Sequence, residues 1–285
     1  MRQVDALTLL KNGENVFLTG SAGAGKSYTI QQYLKYLEDS KVHYKKIAIT
    51  STTGISAVHI QGQTIHSWSC IGIQDDMSEE ELQHLGEKQS PRLKRIFDTQ
   101  VLIIDEISMF HRKQFELVDK VLRYVKGNHL PFGGIQVLLT GDFFQLPPIS
   151  KQMQYEESNR DRFCFMSPVW AELKMKVCYL TEQHRNGTGP LNQLLNEIRC
   201  SSVSKESLAA IEDKLILDSE SDHLPTLRLY THNKNVDYIN HKKLKEIEGE
   251  SKIFKAKHEG NRFILEMLTK SILAPEHLEL KIGAK

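Results

Sequence analysis

The sequence predicts an α/β fold, a parallel sheet with helices on both faces, and three observations point there. Four short apolar runs (NVFLT, KKIAIT, VLII and IQVLLT) are continuous rather than alternating, which suits strands buried on both sides. Three of them lead into stretches of helical spacing, so strand and helix alternate along the chain. Between the first run and its helix lies a glycine-rich turn, a strong local punctuation mark.

Taken in order, Asn15–Thr19 is the first strand, and Ile30, Tyr33, Leu34 and Leu37 line one face of a helix over Lys26–Leu37. Lys45–Thr50 is the second, ahead of the short helix-like segment GISAVHI. From Ile73 to Asp98 the composition turns polar, with Asp75, Asp76 and Glu79–Glu81 followed by Arg92, Lys94 and Arg95. This stretch reads as an insertion, either a solvated pair of surface helices or a wedge near a substrate. Val101–Ile104 is the third strand. A helical stretch from about Ser108 to Lys126 follows, with Leu117, Val121, Leu122 and Val125 on one face. Ile135–Thr140 is the fourth, and it runs into GDFFQLPP. After Val177–Thr181 the pattern breaks, which divides the chain into a first domain, 1–181, and a second, 182–285. The second holds a helix from Pro190 to about Cys200, then LRLYT at Leu227–Thr231 and the helix-spaced Val236, Ile239 and Leu244, a second α/β unit.

Composition sets the outer limits. With 285 residues, 40% hydrophobic and 26% charged, the chain has room for one large or two medium cores and falls outside the disordered class. Thirty-seven Lys and Arg against 36 Asp and Glu leave a net charge of +1, so any nucleic-acid contact must be local. Cys70, Cys164, Cys178 and Cys200 are widely spaced, with neither a Cys-x-x-Cys pair nor a histidine at zinc-ligand spacing, and a reducing intracellular compartment is the expectation. No apolar run has bilayer length and no leader pattern opens the chain, so membrane insertion and secretion are not expected.

The segment Gly20-Ser21-Ala22-Gly23-Ala24-Gly25-Lys26-Ser27, followed by Tyr28, fits the G-x-x-x-x-G-K-[ST] phosphate loop and stands in the right place, after a strand and before a helix. Triphosphate oxygens need several inward amide donors. Glycines let the backbone curl to supply them, and the helix N-terminus adds its positive end. Lys26 is then expected to reach the β and γ phosphates and Ser27 to bind Mg²⁺. Mg²⁺ also calls for a hard oxygen ligand from a neighbouring strand. Val101-Leu102-Ile103-Ile104 ends in Asp105, the candidate metal carboxylate, and Glu106, the candidate proton acceptor for the attacking water. An alternative reading makes this acidic pair a cap for the helix near Ser108.

GSAGAGKS, ITSTTGISA, GQTIHSW, IIDEISM, LLTGDFFQLPP, LTEQHRN and RLYTHNKNVDYIN occur in that order over nearly the whole chain, and together they resemble the Pif-type (petite integration frequency) DNA helicases, in the RecD-like branch of helicase superfamily one. The resemblance implies a RecA-like P-loop NTPase core followed by an incomplete second RecA-like lobe. It also implies an ATP- and Mg²⁺-dependent 5′-to-3′ helicase and translocase on single-stranded, forked or structured DNA, monomeric, serving replication, repair, recombination or telomere maintenance. The compartment would be nucleus or mitochondrion in a eukaryote and cytoplasm in a bacterium or virus.

Residue by residue, Gln3 resembles the glutamine that reads adenine, Gln145 the sensor of the γ phosphate, and Arg185 the arginine reaching across from the second lobe, here followed by Asn186. Thr53, Gly54, His66 and Asn233 match positions contacting the single strand. His66 read alone is a structural histidine. Trp68 stands between base stacking and core packing, and Met166 and Trp170 read as core. Phe110, His111 and Arg112 depart from the family pattern, without an assigned role. The chain ends at ELKIGAK, where the family normally continues. The expectation is therefore a piece that binds ATP, hydrolyses it slowly and does not unwind DNA alone. The alternative is a nucleotide-dependent DNA-binding regulatory module without motor activity. A P-loop kinase or GTPase is disfavoured, because GDFFQLPP has no place there and no N-K-x-D motif is present.

Overall fold

The structure is a computed structural model that describes residues 1–39, 46–87, 91–149, 158, 160–182, 189–214, 229–230, 233–260 and 275–284. Six parallel strands form one sheet: β1 (Val16–Gly20), β2 (Lys46–Ser51), β3 (Gln63–Thr64), β4 (Thr99–Asp105), β5 (Gln136–Thr140) and β6 (Lys176–Leu180). Their spatial order is β3-β2-β4-β5-β1-β6. Every pair is parallel, so all six C-terminal ends lie along one edge, where open α/β sheets bind ligands. β5 lies between β1 and β4.

The continuous apolar runs are central strands covered on both sides. Period-two alternation divides their side chains between two cores. Phe17, Leu102, Ile104, Val137 and Leu139 share one core with Phe115, Val118 and Leu122 of α7 (Arg112–Lys126). Val16, Leu18, Val101, Ile103 and Leu138 point into the other. It contains Ala6 and Leu10 of α1 (Gln3–Lys11) and Ile30, Tyr33 and Leu37 of α2 (Lys26–Asp39). Trp68, at the end of α4 (Ile65–Trp68), is buried in the first core. Trp170, in α8 (Pro168–Glu172), packs edge-on against Phe17, and Met166 is half-buried in the preceding 3-10 turn.

The insertion carries a pair of surface helices, largely exposed on one side and packed on the other. Met77, Leu82 of α5 (Glu79–Glu87), and Leu93 and Ile96 of α6 (Pro91–Asp98) join the α7 core. Arg95 donates to the Ser67 and Trp68 carbonyls at 2.6 and 2.8 Å, tying α6 to α4. The polar average of this stretch hides the Leu93/Ile96 spacing, which is what packs.

The α7–β5 connection is held by a buried carboxylate. Asp119 accepts from the Phe132 amide at 2.6 Å and from Arg123 Nε at 2.7 Å, and Arg123 also donates to Glu172. Phe132 is wholly buried in a left-handed conformation (φ 52°), and this network supplies the partner its amide needs.

The chain divides into two compact units, Met1–Asp213 and Lys214–Lys285. The first includes α9 (Pro190–Arg199) and α10 (Lys205–Glu212), whereas the sequence reading placed the divide at 181/182. In the second unit, α11 (Asn233–Glu246) carries the helix-spaced Val236, Ile239 and Leu244. There β7 (Lys252–Lys255) pairs antiparallel with β8 (His277–Leu280), and most of the expected strand at 227–231 lies outside the described residues.

Candidate active site

The phosphate loop leaves β1 at Gly20, whose φ of +147° and tight fit against β6 demand glycine. A Cβ there would lie 2.7 Å from the Leu180 carbonyl oxygen. Gly23 and Gly25 then take left-handed conformations that curl the backbone (φ 82° and 87°). Within the loop Ala24 is buried and Ser21 and Ala22 are not, and α2 starts at Lys26. Lys26 donates from Nζ to the loop's own carbonyls, Gly20 at 2.8 Å and Ser21 at 3.2 Å. Burial holds its pKa below the ordinary lysine value, against the opposing charges of Asp142, Glu106 and Asp105. Ser27 and Tyr28 are exposed on the first turn of α2. Gln3, at the start of α1, donates to the Ala24 carbonyl at 3.3 Å and so touches the loop directly.

Across the sheet edge, Asp105 ends β4 nearly buried, its Oδ1 accepting from the Thr140 hydroxyl and from the Glu106 amide at 3.0 Å. Glu106 adopts a left-handed conformation (φ 55°, ψ 41°), uncommon for a residue with a side chain, which breaks the strand's alternation between two neighbouring carboxylates. Neither acidic side chain caps a helix. Glu106 makes no side-chain cap bond, and α7 is capped by His111 Nδ1, which accepts from the Lys113 amide at 3.2 Å. Burial, then the adjacent Asp105 charge, push the Glu106 carboxyl above its ordinary pKa, with Lys26 pulling the other way.

Beyond β5, Gln145 is exposed and its Nε2 donates to Asp142 Oδ2 at 3.3 Å. Because β5 lies between β1 and β4, this turn leaves the edge between the loop and the acidic pair. The sequence reading missed Asp142 and its partner. Asp142 is 1% exposed, and Arg199 of α9 grips both of its oxygens, Nη1 reaching Oδ1 at 2.9 Å and Nη2 donating to Oδ2. Burial alone raises the Asp142 pKa, but the Arg199 bonds, the Phe144 amide and the charge of Lys26 outweigh it and bring it below the ordinary value.

The candidate DNA contacts follow the outer strands. Thr53 caps α3 (Gly54–His59), accepting from the Ser56 amide at 3.2 Å, and open space surrounds Gly54. His66 is half-buried, with Nε2 3.1 Å from Gln114 Oε1 and its ring edge-on to Phe110. Phe110, His111 and Arg112 thus acquire structural roles. Phe110 is wholly buried, His111 is the α7 cap, and the Arg112 amide donates to the Arg162 carbonyl at 2.9 Å. Arg185 and Asn186 lie outside the described residues. Asn233 is the first residue of α11, with its side chain likewise outside them.

All four cysteines are free thiols, and among the described residues no helix is long and apolar enough to cross a membrane. The described residues hold no cluster of three or more His, Cys, Asp or Glu suited to a metal. Ser27 and Asp105 are hard oxygen donors, too few for a closed cage. Their chemistry suits Mg²⁺, whose other positions would be taken by phosphate oxygens and water.

The model of the PIF1-like helicase family matches residues 1–201. The chain is 46% identical to the ATP-dependent DNA helicase Pif1 of Psychrobacter sp., covering 100% of this chain and 43% of that protein. Against the yeast ATP-dependent DNA helicase RRM3 the identity is 35%, over 97% of this chain and 38% of that one. Among solved structures, Pif1 helicase from Candida albicans aligns with a TM-score of 0.79 at 30% identity, over 99% of this chain and 63% of that chain. Bacteroides sp. Pif1 in complex with ADP-AlF4 aligns at 0.76 and 28%, with the same coverages. The chain therefore spans less than half the length of these two curated relatives. With the phosphate loop, the Asp105–Glu106 strand end and the Gln145 turn on one edge of a RecA-like parallel sheet, and with the family model running through α9, this chain belongs to the PIF1-like helicase family.

Proposed function

We propose that this chain is the nucleotide-hydrolysing part of an ATP-driven DNA helicase that moves 5′ to 3′ along single-stranded DNA and separates forked or structured duplexes. The observation that carries the reading is the convergence of Lys26, Asp105, Glu106 and Gln145 at the C-terminal ends of three adjacent strands. Lys26 is released from the Gly20 and Ser21 carbonyls to meet the β and γ phosphates, while the loop amides and the α2 N-terminus bind the remaining oxygens. Ser27 and Asp105 would hold Mg²⁺, which neutralises phosphate charge when bound. Glu106, with its raised pKa, accepts the proton of the attacking water. Gln145 senses the γ phosphate, Gln3 favours adenine, and Arg185 completes the charge clamp from the second lobe.

Thr53, Gly54, His66 and Asn233 contact DNA phosphates and sugars without reading sequence. The unit works as a monomer in a reducing intracellular compartment, in replication, repair or recombination. Residues 1–285 on their own bind ATP, turn it over slowly and do not unwind duplexes. This is supported by the share of the relatives' length that they span and by the weight an added arginine carries, on the order of 10³–10⁵ in rate.

The test is ATP turnover with and without single-stranded DNA. The expected result is DNA-stimulated hydrolysis, abolished in Lys26→Ala and reduced at least a hundredfold in Glu106→Gln with ATP binding retained. Unchanged turnover in Glu106→Gln removes the proton-acceptor assignment. Strong unwinding by the 285-residue chain refutes the limited activity proposed for it.

A further inference from the structure

Arg199 takes no part in the phosphate loop or the acidic pair, yet it makes the most fully engaged side-chain contact at the site. Both oxygens of Asp142 are doubly satisfied. Oδ1 accepts from Arg199 Nη1 at 2.9 Å and from the Phe144 amide at 3.2 Å, while Oδ2 accepts from Arg199 Nη2 and from Gln145 Nε2 at 3.3 Å. The same guanidinium lies 4.8 Å over the Phe144 ring, whose other face is largely open to solvent. One side chain from α9 thus holds Asp142 and Phe144 of the β5 turn directly, and Gln145 through Asp142. The Gln145 amide also closes that turn onto the Asp142 carbonyl at 2.9 Å.

A carboxylate this buried cannot remain charged without a partner. Its charge also reaches Lys26 and Glu106, and Arg199 reaches Lys26 with the opposite sign. A planar fork supplies two parallel bonds where an ammonium supplies one, which is why the residue is arginine rather than lysine.

We propose that Arg199 is a positioning residue for ATP hydrolysis: through its fork on Asp142 it fixes the turn that presents Gln145, and it ties α9, which follows Arg185 in the chain, to that turn. The role rests on the nucleotide-site reading above. It acts through Gln145 and touches neither nucleotide nor water.

Two measurements on the 285-residue protein test it. In single-turnover ATP hydrolysis, Arg199→Ala lowers the rate at least tenfold in the parent and less than twofold in a Gln145→Ala background, while the ATP concentration for half-saturation moves less than threefold. Arg199→Lys recovers only part of the loss. Additive losses in the two backgrounds, or full recovery by lysine, overturn the proposal. A purely structural role lowers the folded fraction but leaves the rate per bound nucleotide unchanged. The second measurement needs no hydrolysis. Amide hydrogen exchange at Phe144 and Gln145 speeds up at least tenfold in Arg199→Ala while β1, β4 and β5 keep their protection. Unaltered exchange there overturns the proposal even if the parent proves inactive, an outcome that would by itself refute only the hydrolytic reading.

Discussion

Gly20→Ala should damage the protein where Gly54→Ala does not. Gly20 ends β1 opposite Leu180, and a methyl group added there would lie 2.7 Å from the Leu180 carbonyl oxygen and 3.2 Å from Ala24 Cβ. A backbone carbonyl cannot swing aside as a long side chain can, so β1 and β6 must separate or the loop must lift. Overpacking of this kind costs ~1–3 kcal/mol. Holding a residue with a side chain at φ +147° adds about 1–3 kcal/mol, for a total of roughly 2–6 kcal/mol. Gly54 opens α3 with nothing within 4 Å of an added Cβ, and alanine there gains up to about 1 kcal/mol of helix preference. Both tryptophans, Trp68 and Trp170, lie in the unit Met1–Asp213, so urea unfolding followed by their fluorescence reads that unit directly. Because the displaced junction is the start of the phosphate loop, nucleotide affinity in Gly20→Ala should fall as well. A loss below 1 kcal/mol at Gly20, or shifts of the same sign at both glycines, refutes the close-approach argument.

Two further outcomes concern the Glu106 and Asp119 carboxylates. The folded pKa of Glu106 lies above its ordinary value, through burial and then through Asp105, so the native chain binds this proton more tightly than the unfolded one. Stability therefore falls as pH rises through the folded pKa and stays reduced above it. Glu106→Gln should accordingly unfold at higher urea than the parent at about pH 8, with the gap closing toward about pH 4. A gap that widens in acid contradicts this sign. Asp119→Ala leaves the Phe132 amide buried without its acceptor, while Arg123 keeps Glu172 and the His129 carbonyl, a loss of about 1–3 kcal/mol in the same urea assay. An effect below 1 kcal/mol shows that the Phe132 turn holds itself.

Much of the sheet was readable because its signals are local. The continuous runs, the glycine spacing before Lys26 and the carboxylates ending VLIID each fit in a window of a few residues. The strands expected at 15–19, 45–50, 101–104 and 135–140 begin and end within about two residues of β1, β2, β4 and β5, whereas the two-residue β3 has no such signal. What stayed hidden depends on distant partners. Asp142 and Arg199 are 57 positions apart, and no period or motif links them, yet their pair ties α9 to the β5 turn within the unit Met1–Asp213. Within GDFFQLPP nothing local distinguishes Asp142, which is 1% exposed, from its neighbours, because its partner Arg199 lies in α9. The left-handed turn at Glu106 has no signature in residue type, since glutamate rarely adopts it. Averaging over Ile73–Asp98 weighted its charges above the few apolar side chains that dock it.

The strand that begins the phosphate cradle is flanked by β5 and β6, the last two of the sheet to be synthesised. While the ribosome is still making the insertion and α7, Val16–Gly20 has neither neighbour, and its apolar side chains and unpaired N–H and C=O groups are open to other chains. At about 5–20 residues per second, closure at Leu180 waits on the order of ten seconds or more after Gly20 emerges. Nascent chains of this architecture thus pass through a long interval in which chaperone capture of the first strand competes with self-association.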